Sequence, residues 1–438
     1  MSALCLVLLV LAQSQDEVET ADGDILFPAT PGEATVAPAE PVPVQDGPPL
    51  LSPVSFGGYL DFGFFVPFGT GVGVRQDFGN VAFPQLAGQY GWVFYGDLLA
   101  PAVNTRGEAA DLGDLAGSQR FDSVHSRGAP GFIVNEVNLR AQAAVGGQLL
   151  ILASVNLLPR TGTQFALGDV FEVDLAQLEW MPTEDRRTSI FAGKMESLLG
   201  VEYRQRKAHT RFGVTPSLIA RYTTGTPLGF KVRTKLFKGD LITLALAFTN
   251  GSSTTEQFHF YDEVDSNAGK TVSGRLSLKP FAPFDGSPLG ELELGVSGEW
   301  GPQDRARDSG SPLWFVGVDL LWHKGRVDVE AQWLRGNAPG RVVDQVYALQ
   351  LNHGAYLTVA WRITSLVGVL VRGELRDAFV SLGDERAYLT RSFRVTAGAR
   401  LSFNEHVTLK AEYLFNGEYG GVPMVPNDVF TSSLVLAY

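Results

Sequence analysis

Leu313-Trp314-Phe315-Val316-Gly317-Val318-Asp319-Leu320-Leu321-Trp322-His323, followed after Lys324-Gly325 by Arg326-Val327-Asp328-Val329-Glu330-Ala331-Gln332-Trp333-Leu334-Arg335, decides how this chain folds. In the first segment Trp314, Val316, Val318, Leu320 and Trp322 share one face of an extended chain. In the second, Val327, Val329, Ala331 and Trp333 oppose Asp328, Glu330 and Gln332. A period of two belongs to strands and not to helices, so these are two strands, each wet on one face and dry on the other, joined by a tight turn. The apolar face of the first strand begins and ends with Trp. At ~3.3 Å per residue along a tilted strand, its two indoles stand about one hydrocarbon thickness apart. Their flat apolar bodies and N–H groups suit the two interfaces of a membrane.

The same pattern recurs along the chain. Leu292, Leu294 and Val296 oppose Glu291, Glu293 and Glu299; Val232 and Leu236 oppose Lys231, Arg233 and Lys235; Leu276 and Leu278 oppose Arg275 and Lys279. Sixteen strands are expected, at 55–66, 131–145, 148–157, 170–181, 188–196, 227–238, 241–250, 271–280, 289–300, 313–323, 326–335, 345–363, 366–376, 392–402, 407–416 and 430–438. The fourth changes phase near Ala176-Gln177, the mark of a bulge. Their connections alternate in length. Gly146-Gly147, Lys238-Gly239-Asp240, Lys324-Gly325, Thr364-Ser365 and Phe403 to His406 are tight, and those between them are long. An even strand count with short turns on one rim and long loops on the other is the organisation of a transmembrane antiparallel up-and-down β-barrel, with periplasmic turns and extracellular loops. Phe403, Tyr413, Phe415 and Phe430 also sit at strand ends. The last strand places Phe430, Leu434, Leu436 and Tyr438 on one face and ends on the aromatic. Such an ending resembles that of outer-membrane porins, where the terminal aromatic is read by the barrel-assembly machinery; the resemblance casts Tyr438 as the assembly signal.

Composition agrees. Apolar residues make up 45% of the 438, yet the longest apolar run, Ala3 to Ala12, falls short of the ~20 residues a spanning helix needs. That run reads as a signal-peptide core over residues 1–12, although no Lys or Arg precedes Arg75. Cys5, the single cysteine, lies inside it. Residues 13–54 carry eight acidic side chains, no basic ones and eight prolines, and are expected to form a disordered leader before a barrel spanning 55–438. The net charge of −12 argues against nucleic acid as a partner. The six histidines are scattered with no pair at metal-ligand spacing, and no Gly-x-Ser-x-Gly elbow is present, so neither cofactor nor catalytic residue is expected.

The run Gly193-Lys194-Met195-Glu196-Ser197-Leu198-Leu199-Gly200-Val201-Glu202 resembles the Gly-basic-apolar, then Pro-Phe-Gly, pattern that precedes the constriction loop in porins of the phosphate-selective porin O and P family. Leu198 and Leu199 stand here in the Pro and Phe places. The resemblance implies that the loop from Ser197 to Thr226 folds into the lumen. It holds Arg204, Arg206, Lys207, Arg211 and Arg221 against one acid, Glu202. A cationic cluster in a narrow, partly dry passage concentrates anions and lowers their entry barrier; a solvated outer loop binding lipopolysaccharide phosphates is the other reading of the same residues. On the lumen face, Lys231, Arg233, Lys235, Arg275 and Lys279 form a basic arc, continued across the barrel by Arg372, Arg376, Arg394 and Arg400. Glu291, Glu293, Glu299, Asp319, Asp328 and Glu330 form an acidic arc between them. The expected function is passive diffusion of small hydrophilic solutes, anions preferred, across the outer membrane of a Gram-negative bacterium, the barrel seated in outer-membrane lipid. The porin resemblance implies a homotrimer. A barrel enzyme of the lipase or protease type, and a non-conducting adhesin binding a partner through its long loops, are the competing expectations. The loop from Pro67 to Gly131 could dip into the pore, cap it or bridge to another subunit.

Overall fold

The computed structural model describes residues 54–68, 130–157, 171–250, 269–282, 289–301, 313–342, 345–382, 385–419 and 428–438. The expected signal peptide, all of the leader but Val54, and positions 69–129 of the first long loop lie outside the described residues. Sixteen strands close into one barrel: β1 (Ser55–Pro67), β2 (Gly131–Val145), β3 (Leu149–Leu157), β4 (Phe171–Trp180), β5 (Thr188–Lys194), β6 (Leu228–Leu236), β7 (Ile242–Thr249), β8 (Thr271–Leu278), β9 (Glu291–Gly301), β10 (Leu313–Lys324), β11 (Val327–Val342), β12 (Gln345–Arg362), β13 (Val367–Leu382), β14 (Glu385–Ser402), β15 (Val407–Glu418) and β16 (Val429–Ala437). Each strand pairs with its chain neighbours, and β1 pairs antiparallel with β16 from Tyr59↔Ala437 to Pro67↔Val429. Closure leaves no open edge, which is what a sheet surrounded by hydrocarbon requires, since lipid offers nothing to an unpaired N–H or C=O.

The period-two pattern sets the faces. In β9, Val296 is 58% exposed and its neighbour Ser297 only 4%; in β7, Leu244, Leu246 and Phe248 face outward while Ala245 and Ala247 are buried. Exposed apolar side chains outside and buried charges inside invert the arrangement of a water-soluble protein. Aromatics ring both ends of the apolar band. Phe56, Trp180, Phe237, Trp361 and Phe403 are exposed at the turn end, and Phe132, Phe230, Phe248, Trp300 and Phe415 at the loop end. Trp322, at the turn end, donates its indole N–H to the carbonyl of Leu289 at 2.8 Å. Among the described residues no helix is long and apolar enough to cross a membrane; the strands do the crossing.

The tight turns follow from local chemistry. Gly146 and Gly147 take φ of 60° and 72°, the positive values that a two-residue hairpin turn matched to strand twist demands, and which side chains resist. Two expectations need correction. Positions 336–344 and 377–391, read as long loops, are mostly strand: β11 runs on to Val342 and β12 begins at Gln345, while β13 runs to Leu382 and β14 begins at Glu385. These two hairpins therefore continue beyond the apolar band. The bulge in β4 falls at Asp174 rather than at Ala176-Gln177, because Ser154 pairs with Leu175 and Val155 with Val173, so Asp174 is the extra residue. Asp174 and Leu175 consequently both point inward.

Candidate functional site: the lumen and its inward loop

The segment between β5 and β6, residues 195–227, does fold into the barrel. Lys194 and Leu228 stand opposite each other in register, and the chain between them enters and leaves the lumen at one place. Two short 3-10 turns, Glu202–Gln205 and Ala220–Tyr222, shape it. Its apolar residues pack into a small interior of their own: Met195, Leu199, Ile219 and Tyr222 are 0% exposed. Small residues on the facing strands make the room. Leu198 packs on Ala245 and Ala247 of β7. At Gly354 of β12 a side chain would meet the Ile219 Cγ2 at 2.3 Å.

Polar anchors then fix the loop all round the wall. The Gly200 and Val201 N–H groups donate to Ser297 Oγ at 2.8 Å and Gln332 Oε1 at 3.0 Å. Glu412 of β15 accepts from the Val214 N–H at 2.8 Å, the Thr215 N–H at 2.8 Å and the Thr215 hydroxyl at 2.7 Å. Glu374 accepts from the Leu218 N–H at 2.6 Å, and Arg372 donates to the carbonyls of Thr215 and Pro216 at 2.8 and 3.0 Å. Buried Lys410 donates to the carbonyls of Ala208, Arg211 and Gly213. On the far wall the ring of Tyr59 lies 4.8 Å from that of His209. Carboxylates take loop N–H groups and cations take loop carbonyls, so an aperiodic segment with few internal bonds satisfies its backbone on the barrel.

Four of the five loop cations are thereby placed. Arg204 forms a bidentate pair with Glu293 at 3.0 and 2.8 Å. Arg206 and Lys207 both donate to Asp174, the bulge residue, whose side chain is 0% exposed and also accepts from Ser154 Oγ at 3.0 Å. Lys207 further approaches Asn156 at 3.5 Å and Glu136 at 3.9 Å. Burial, and next the adjacent Arg206, push its ammonium pKa down from the ordinary lysine value. Arg211 turns back on its own loop, donating to the carbonyls of Val214 at 3.2 Å and Arg206 at 3.4 Å. The side chain of Arg221 lies outside the described residues. Glu202 is buried, which raises its pKa, and accepts from the Ser217 N–H and hydroxyl. Arg204, Arg206 and Lys207 are gathered in the lumen and meet wall carboxylates instead of projecting into open water, while Arg211 is held by loop carbonyls.

The two wall arcs likewise interlock. Arg275 pairs with Asp319 through both Nη atoms at 2.6 Å, lies 3.5 Å from Glu293, and holds the Gly200 carbonyl at 2.6 Å. Arg233 meets Glu179 at 3.1 Å and Lys279 meets Glu293 at 3.8 Å. Lys231 reaches the Glu196 carbonyl at 3.5 Å. Glu330 accepts from Tyr356 and Gln205. Glu299 is buried in the wall. Four residues of the arcs belong to the turn end, Lys279 just past β8 among them. Lys235 pairs there with Asp240 at 3.0 Å, Asp328 with His323 at 2.5 Å and Arg362 at 2.7 Å, and Glu291 is exposed. Asp174, Glu374, Lys410 and Glu412 were not singled out from sequence, although the last three fall on the inward phase of their strands. Among the described residues no cluster of His, Cys, Asp and Glu could hold a metal ion.

No family model matches the chain, and neither does any curated protein. Its fold does have solved counterparts. The outer membrane channel DcaP of Acinetobacter baumannii superposes with a TM-score of 0.51 at 11% identity, covering 88% of this chain and 97% of that one. OmpF of Salmonella typhi, in complex with daunomycin, gives 0.51 at 12% identity, with 88% and 97% covered. A loop L8 deletion mutant of OmpT, an outer membrane protein of Vibrio cholerae, gives 0.50 at 10% identity, with 88% and 99% covered. At such identities the likeness is one of fold: a closed sixteen-stranded antiparallel barrel.

Proposed function

We propose that this chain is an outer-membrane porin through which small hydrophilic solutes diffuse passively, with the loop at 195–227 setting what passes. The observation that carries this is the inverted barrel itself, apolar outside and charged inside, a build whose only dry face is the one turned to lipid. A sixteen-stranded wall is wide enough to leave an aqueous lumen, and here the loop occupies it. The barrel resides in the outer membrane of a Gram-negative cell, with its tight turns facing the periplasm. The fold's counterparts, the outer membrane channel DcaP among them, support the same place and task. The homotrimer remains part of the proposal.

Anion preference also belongs to the proposal, with its source shifted from Arg204, Arg206 and Lys207, which meet carboxylates, toward β14. Arg394 donates to Asn416 Oδ1 at 2.8 Å and Arg400 to Ser402 Oγ at 2.9 Å, and neither has a carboxylate within ion-pair distance among the described residues. Planar-bilayer recording in a salt gradient tests this. Stable stepwise currents with anion preference are expected; silence from a folded barrel would defeat the porin assignment. Neutralising Arg204, Arg206 and Lys207 together takes the cations from Asp174 and leaves Glu293 only the longer contacts to Arg275 and Lys279, so the reversal potential moves toward cations while the barrel stays folded. An unmoved potential would show that the loop does not meet the ions.

Tyr438 is proposed as the assembly signal. Its N–H donates to the Gly58 carbonyl at 3.1 Å and its carbonyl accepts from the Gly58 N–H at 3.2 Å, while its ring is exposed on the lipid side. Deleting it lowers the amount of folded barrel in the outer membrane, read by heat-modifiable migration of membrane fractions; unchanged amounts would remove the assignment.

A further inference from the structure

The turn end of the lumen is unevenly charged. From β12 through the seam to β2, the inward-facing positions on the turn side of the loop hold Arg362, Arg400 and Arg140 and, among the described residues, no side-chain carboxylate. Lys410, opposite Arg400 in register, adds a fourth cation against the loop. Arg400 is half-buried, its guanidinium 5.8 Å from the centroid of the Phe212 ring, and it donates to Ser402 Oγ at 2.9 Å. Arg140, also half-buried, donates to Gln142 Oε1 at 3.2 Å, and the carboxylates whose charge reaches it, Glu196 and Asp174 on the β4–β5 side, make no ion pair with it. Arg362 alone meets a carboxylate, Asp328 of β11 at 2.7 Å. His209 registers the summed field: its imidazole pKa is pushed down to about 3, first by burial and then by Lys207, Lys410, Arg140 and Arg400 together. The opposite half is balanced, with Arg233, Lys279 and Lys235 set against Glu179, Glu293 and Asp240.

The chain enters β1 in the middle of this cationic half. Gly57 stands opposite Arg140 of β2, and Arg400 of β14 lies three strands away on the other side, about 14 Å along the wall. The stretch that leads into β1, residues 36–54, holds Glu40 and Asp46, no basic residue and six prolines. A Pro-rich chain spans about 3.1 Å per residue, so from Val54 the reach is about 25 Å to Asp46 and about 43 Å to Glu40. We infer that residues 36–54 dock back into the cationic half of the periplasmic mouth, with Asp46 and Glu40 taking Arg140 and Arg400. Guanidinium binds carboxylate through paired charge-assisted hydrogen bonds, and the tether holds both acids at high effective concentration. Docked there, the two carboxylates shield cations that would otherwise draw anions. That consequence rests on the porin reading; the docking rests on the wall and the charge of the segment.

Double electron–electron resonance on the full chain refolded in detergent tests it, with spin labels at Gln45→Cys and at Ser365→Cys in the exposed β12–β13 turn, in a Cys5→Ser background. A narrow distance distribution is expected at low salt. Glu40→Gln combined with Asp46→Asn, which leaves every barrel residue in place, abolishes the narrow component, and so does 1 M NaCl, where charges are screened beyond about 3 Å. Arg140→Gln combined with Arg400→Gln abolishes it too, with heat-modifiable migration verifying the folded barrel. Lys235→Gln, on the balanced half, leaves it as it was. A broad distribution in the otherwise unaltered chain, or a narrow one that persists without the acids, without the two arginines or in 1 M NaCl, would overturn the docking, as would loss on Lys235→Gln. Loss on dilution with unlabelled chains would assign the segment to a neighbouring copy and overturn it as well. A barrel that is silent in bilayers yet keeps the narrow distribution would defeat the porin assignment and leave the docking standing.

Discussion

Replacing residues 196–226 with a four-residue Gly-Ser turn raises the single-channel conductance of the refolded barrel by roughly fivefold or more, as expected when a sixteen-stranded lumen is emptied. Lys194 and Leu228 are already opposite each other, so a hairpin turn of ordinary length closes the gap. The wall survives because its ladder of backbone hydrogen bonds never passes through the loop. Glu374, Glu412, Lys410 and Arg372 lose their loop partners, but water entering the lumen hydrates them, and the burial that made those bonds necessary disappears with the loop. A conductance equal to that of the intact chain would mean that solutes already pass the loop unhindered, and the proposed role of residues 195–227 would fail.

Removing one carboxylate should loosen the same loop without cutting it. In Asp174→Ala, Arg206 and Lys207 lose the partner they share, and breaking a buried ion pair from one side costs about 3–5 kcal/mol where the orphaned charge stays buried. Here the two cations sit on a segment that can move, and Lys207 keeps only the longer approaches to Asn156 and Glu136 described above, so the energy is released by undocking. Residues 204–210 exchange amide hydrogen faster, and the current through single channels becomes larger and noisier, with frequent steps between levels. Asp174→Asn, which keeps the acceptor for Ser154 Oγ, gives the intermediate result. Unchanged exchange across 204–210 in the alanine variant would show that Glu293, His209 and the apolar interior hold the loop on their own.

The strands were legible in the sequence because both of their faces are under strict chemical control, lipid on one side and charge on the other. A period of two survives in nearly every segment, and sixteen segments were found where sixteen strands stand. The pattern weakened where that control ends. Gly336-Asn337-Ala338-Pro339-Gly340 is written in turn residues, yet it continues β11, since beyond the apolar band a strand needs only its partner's hydrogen bonds. At the bulge, alternation shows that one residue is doubled without showing which, and the doubled residue was Asp174, the central anchor of the loop. The loop's inward course could be read from the Gly193–Glu202 run. Its anchors could not, because an aperiodic segment has no face to count and its partners are scattered from β1 to β16.

That scatter has a consequence for how the molecule is made. The bonds from Glu412 and Lys410 to the loop span 197–202 residues of chain, and Tyr59, on the opposite side of the seam, contacts it too. The loop lies near the middle of the sequence but finds these partners only after β15 and β16 have met β1. Contacts so distant in sequence form late, so docking follows closure, and a barrel short of its last strands presents an unanchored loop to the periplasm.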